Sequence, residues 1–188
     1  MDLAASYISA IAENWTVWLV TVVLVLAAVI DGFELKVPNW VTFPFIIGGW
    51  LYSTVAFGFE GLGWSLLGTL IGLALLLPAY AIGGMGAGDV KLLAGVGAWV
   101  YGTHTVYAFA VSALVGALLA IGMVLVRRGW KKHAAQFMVI LNEILVLRNP
   151  EQLAAIAAQR KPTMLLLPYG IPIAIGTIGY FVWMGMLA

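Results

Sequence analysis

The sequence has no cysteine, and charged residues make up only 9% of its 188 positions. Without cysteine there is no disulfide frame, no thiolate nucleophile and no Cys-based zinc site. The scarcity of charge is more telling. Soluble domains carry about 25% charged and about 45–50% apolar residues, whereas this chain is 63% apolar. One aqueous core cannot hide that much apolar surface, which excludes a soluble globular enzyme. The same composition excludes disorder. The net charge of +1 gives no basic field for nucleic acid. No P-loop, dinucleotide fingerprint or Cys/His cluster is present, so no metal, nucleotide or redox cofactor is implied. What the chain does have, glycine (22 residues) and tryptophan (8 residues), suits helices packed in lipid. The composition predicts an all-α integral membrane protein.

Five weakly charged stretches are legible: Asn14 to Ile30, Val37 to Phe59, Gly61 to Gly88, Leu92 to Val126 and Pro162 to Ala188. Crossing about 30 Å of hydrocarbon takes about 17–25 helical residues, so the fourth stretch is long enough for two helices. Tyr101-Gly102-Thr103-His104 is its natural break. Six transmembrane helices follow. With alternating sides, the connections 31–42, 83–91 and 127–163 share one face, and all nine Lys and Arg fall there. Asp2, Glu13 and Glu60 fall on the other. The basic face is the cytoplasmic one, so both termini lie outside. A single helix over 92–126 would split the basic residues between the two sides.

Leu3 to Ala12 extends the first helix or lies on the interface. It lacks the basic start and small-residue cleavage site of a signal peptide, so no removal is expected. The 127–163 insert, between helices 5 and 6, places Ala134, Phe137, Met138, Leu141 and Leu145 at helical spacing after a basic start. That pattern predicts an amphipathic helix on the anionic inner leaflet.

Acidic residues at the edge of apolar spans are costly and mark functional sites. Asp31 ends the first span, and Asp89 follows Gly83-Gly84-Met85-Gly86-Ala87-Gly88 and opens the fourth. The topology puts both at the cytoplasmic surface. Two carboxylates held close cannot both ionise; one stays protonated, and the pair can activate water against a peptide carbonyl. Asp31 sits at a helix C-terminus and Asp89 near a helix N-terminus, so the dipoles favour Asp89 as the ionised base. His104, outside, and His133, in the insert, are not placed to join the pair, and Glu34 sits in the aqueous boundary.

Gly86-Ala87-Gly88-Asp89 resembles the GxGD intramembrane aspartyl proteases. Asp31 with Lys36-Val37-Pro38-Asn39, and Asp89 with Val90-Lys91-Leu92, resemble the bacterial type IV prepilin peptidases. The basic insert ahead of Pro168-Tyr169-Gly170-Ile171-Pro172 resembles the small type from tight-adherence and Flp pilus systems. The resemblance implies one transmembrane peptidase domain over 1–188 in the bacterial cytoplasmic membrane. It implies an aspartic endopeptidase cutting leaders from prepilins or pseudopilins, whose apolar helix enters laterally from the lipid. Asp31 and Asp89 are then catalytic. Gly86 and Gly88 let a peptide approach Asp89, while Lys36, Pro38, Asn39 and Lys91 shape the site or position substrate. Larger members add a zinc-binding CxxC domain and N-methylate the product; lacking cysteine, this chain is not expected to carry that zinc site. Presenilin-like relatives place Tyr before the first aspartate, where this chain has Ile30. The rival classes are a proton-coupled transporter or channel, which predicts acids near the bilayer midplane, and an inactive pilus-assembly scaffold.

Overall fold

In the computed structural model the described residues are 14–81, 84–126 and 168–187, with Met138 and Ile156 singly between them. Expectations for Leu3 to Ala12 and for most of the 127–163 insert lie outside these residues. The described chain is helical, without strands: α1 (Trp15–Glu34), α2 (Asn39–Ala81), α3 (Ala87–Val126) and α4 (Gly170–Trp183). The first three are long and apolar enough to cross a membrane, and α4 is a shorter apolar helix of 14 residues. This is the architecture of a helical membrane protein.

α2 and α3 are each interrupted once, at Gly58 (φ 66°) and at Tyr101 (φ 62°). Both breaks fall in or beside the segments where the charge pattern calls for a reversal. Trp50 Nε1 donates to Thr69 Oγ1 across 2.9 Å. On a straight helix residues 19 apart lie about 28 Å apart, so α2 folds back on itself at Gly58. The positive φ there suits glycine, which has no Cβ to clash. α3 also folds back. Gly116 lies against the Tyr169 ring, and Asp89 acts electrostatically on the same side chain; along one straight helix those two positions would be about 40 Å apart.

Two burial patterns organise the bundle. On α1 the buried residues are Val17, Val20, Leu24, Ala27 and Asp31, in steps of three and four that form one stripe. Val22, Val25, Leu26 and Val29 face outward. The first half of α3 instead has no open face: residues 92–98 are buried without interruption. Small residues make that possible, since a Cβ on Gly68 or Gly97 would strike the other's carbonyl oxygen. Ser65 Oγ donates to the Ala98 carbonyl (2.6 Å) and Trp99 Nε1 to the Phe45 carbonyl (2.8 Å) at the same contact. Phe45, Trp99 and Tyr52 stack beside it.

Candidate active site

α1 closes one residue after Glu34. Leu35 takes a left-handed conformation (φ 53°) and its N–H returns to the Asp31 carbonyl at 2.9 Å. Pro38 follows and cannot extend α1; its own carbonyl accepts from Val41 and Thr42 and so starts α2. Asp31 thus stands at the last core position of the α1 stripe, 2% exposed.

Asp89 lies in the first turn of α3 and is 6% exposed. Its Oδ2 accepts the Gly86 N–H at 3.2 Å. This is half of a capping box, with a third-position carboxylate reaching back to an N–H that the helix leaves unsatisfied. The glycine-rich lead-in packs on the α1–α2 connection, where a Cβ on Gly88 would run into the Val37 carbonyl. Lys91 ties the same two segments: its Nζ donates to Asn39 Oδ1 at 2.9 Å and lies 4.7 Å over the Phe43 ring. Lys36 goes elsewhere. It faces solvent, 71% exposed, at 3.9 Å from Glu34.

A third segment completes the site. The Gly170 N–H, in the first turn of α4, donates to Asp31 Oδ2 at 2.7 Å, joining positions 139 residues apart. Next to it, Tyr169 lies within electrostatic reach of Asp89. The start of α4 therefore touches Asp31 and lies within electrostatic range of Asp89. The contribution of Gly170 is not legible in the sequence, because a backbone N–H has no side-chain signature; the proline-bracketed Pro168 to Pro172 run was the available hint. The contact also removes the ground for ranking the two acids by dipole. Asp31 ends its own helix but meets the N-terminus of α4, so each carboxylate faces a helix N-terminus.

The other end of the bundle differs. An open groove of about 550 Å³ is lined by Phe57, Glu60, Gly61, Trp64 and Tyr101. Tyr101 lies about 18 Å along the helix axis from Asp89, so this groove is separate from the carboxylates. His104 Nδ1 is 2.7 Å from the Tyr180 hydroxyl there, well away from the two aspartates.

A bundle of apolar helices with two buried acids, at the end of α1 and the start of α3, defines a membrane carboxylate protein. The comparisons place it more closely. The sequence model of the type IV leader peptidase family matches residues 18–121, and the chain belongs to that family. It is 33% identical over 135 residues to a prepilin leader peptidase/N-methyltransferase of Aeromonas hydrophila, covering 66% of this chain and 46% of that protein. It is 35% identical over 116 residues to the protein of the same name from Aeromonas salmonicida (strain A449), covering 58% and 40% respectively. The chain spans less than half the length of these curated relatives. No solved structure matches.

Proposed function

We propose that this chain is an aspartic endopeptidase that removes the leader from type IV-like prepilins, of the Flp type, at the cytoplasmic face of the bacterial inner membrane. The observation that carries the reading is that buried Asp31 accepts the Gly170 N–H while buried Asp89 lies within electrostatic range of neighbouring Tyr169, in a member of the leader peptidase family. The ionised carboxylate draws a proton from water, the protonated partner donates to the scissile carbonyl, and water adds to the carbonyl carbon. The charge-sharing pair then returns a proton to the leaving amine. Labels of acid and base belong to the pair, which titrates as a unit.

Six spans with both termini outside put the two aspartates and all nine Lys and Arg on one face. That is where a leader meets the start of its own apolar helix. The substrate helix stays in lipid and enters sideways, which suits carboxylates at the rim of a bundle rather than midway through it. Lys91 and Asn39 brace the α2 and α3 starts against each other; Gly86 and Gly88 keep the approach to Asp89 narrow and free of side chains. The family match weighs against the transporter reading, whose acids belong along a path to both faces.

Co-expression with a candidate prepilin tests the proposal. The wild-type chain converts precursor to the shorter form, and Asp31→Asn and Asp89→Asn each leave it uncut. Normal processing by either variant overturns the two-carboxylate mechanism.

A further inference from the structure

The contact between α4 and Asp31 joins a backbone donor to one oxygen of a carboxylate that is buried 139 positions away. The fit is close. A Cβ on Gly170 would lie 2.9 Å from Asp31 Oδ2, 3.0 Å from its Cβ and 3.2 Å from its Cγ. Any residue but glycine there has to displace the carboxyl group. The turn that presents this N–H is itself braced. Tyr169 packs on the core, and its ring rests against the bare backbone of Gly116 in the second half of α3, where a Cβ would stand 3.3 Å from Cε2 and 3.5 Å from the hydroxyl. On the other side, Ile171 and Ile173 N–H groups bond the carbonyls of Pro168 and Tyr169, so the turn is the tightly wound start of α4.

We propose that Tyr169–Gly170 is a positioning unit for the carboxylate pair, in which the Tyr169 ring, seated on Gly116, holds the Gly170 N–H against Asp31 Oδ2 and leaves Oδ1 as the reacting oxygen. An oxygen already accepting a short backbone hydrogen bond is a poor site for the catalytic proton, and its partner oxygen inherits that task. The donor also fixes the plane of the carboxyl group. Misplacing a catalytic group by as little as about 1 Å costs on the order of a hundredfold in rate. The inference rests on the peptidase reading above for its kinetic part, but the hydrogen bond it invokes can be read without turnover. The titratable or charged groups described at this end of the molecule are Asp89 and Lys91 on α3, Tyr80 in the last turn of α2, Tyr169 ahead of α4, and Glu34 and Lys36 beside Asp31 in sequence. None is altered by the Gly170 and Gly116 variants that test the idea.

The test uses the purified full chain in lipid nanodiscs with one synthetic leader–helix peptide. Gly170→Ala is expected to lower kcat roughly 10–100-fold, the loss of one hydrogen bond to a charged group, with KM held within about threefold. Because the N–H favours the ionised carboxylate, its displacement moves the acidic limb of the pH–rate profile upward. Gly116→Val, which pushes on the Tyr169 ring without touching either aspartate, and Tyr169→Ala shift kcat and the limb in the same direction. Tyr169→Phe keeps the ring and restores near wild-type behaviour. Gly122→Val serves as control, since a side chain there meets open space on the same helix. In parallel, the infrared carboxyl band assigned by Asp31→Asn difference shifts in Gly170→Ala and Gly116→Val but not in Gly122→Val.

Wild-type kcat and an unmoved limb in Gly170→Ala overturn the inference, as does a loss confined to KM or to the yield of folded protein. If Gly170→Ala does not fold, Gly116→Val and Tyr169→Ala carry the same decision. Cleavage by Asp31→Asn at the wild-type rate sinks the peptidase mechanism instead, and the infrared comparison then still decides whether Gly170 orients Asp31.

Discussion

The two aspartates are held in opposite ways. Asp89 is oriented by its own turn: the donor is Gly86, three residues away, and the geometry is that of an ordinary helix start. Asp31 is oriented by a distant helix, through the Gly170 N–H. Asp89 therefore gains its Gly86 donor when α3 forms, whereas Asp31 gains its Gly170 donor only when α4 docks. The difference predicts that Asp89 is robust to changes elsewhere in the bundle, whereas Asp31 is sensitive to anything that moves α4.

The largest expected effect erases the comparison altogether. On the proposed mechanism Asp31→Asn or Asp89→Asn removes a group that bears the catalytic proton, and leader cleavage is expected to fall by about 10²–10⁴-fold in a peptide assay. Unequal effects at the two supporting glycines sharpen it. A Cβ on Gly86 would lie 3.3 Å from Asp89 Oδ2, a distance that a few tenths of an ångström of relaxation relieves. Gly86→Ala is therefore expected to cost severalfold less in kcat than Gly170→Ala; an equal or larger loss breaks the contrast between local and distant support. Lys91→Met comes next. It removes the bond to Asn39 and the position over Phe43, lowering stability by about 0.5–1.5 kcal/mol in a thermal melt while the rate changes little. The smallest effect belongs to Lys36→Ala, which breaks a solvent-exposed pair with Glu34 and is expected to shift stability by less than about 0.5 kcal/mol. A marked loss of cleavage in Lys36→Ala assigns that side chain to substrate rather than to the surface.

The same contrast explains what was legible in the sequence. Asp89 announces itself because the donor to its Oδ2 is contiguous: Gly86, Ala87 and Gly88 precede it and an apolar helix follows. Asp31 is half legible. Its position on the stripe begun by Val17, Val20, Leu24 and Ala27 places it on the buried face of α1 by spacing alone. Its partner is not, since the decisive atom is a backbone nitrogen of Gly170, and hydrophobic periodicity carries no information about which helix end meets which side chain. The reversals at Gly58 and Tyr101 are a middle case. Alternation of basic residues calls for them, yet Tyr101 is a bulky residue in a conformation glycine usually takes, so only the helices packed on either side fix that break. Lys36 shows the converse. A lysine between an aspartate and a proline reads as part of the site, and its side chain stands in solvent beside Glu34, where only a cleavage assay assigns it to substrate.

Residues 92–98 have one more consequence. Most membrane helices keep a strip turned to lipid along which side chains exchange freely, and a saturation scan of α1 should show tolerance rising and falling with each turn. The stretch from Leu92 to Ala98 has no such strip. Substitution there should be refused at seven successive positions, by overpacking at Gly95 and Gly97 and by voids at Leu92 and Leu93. The shaft that carries Asp89 would then stand out in a mutational map as an unbroken block, recognisable before any assay of cleavage is run.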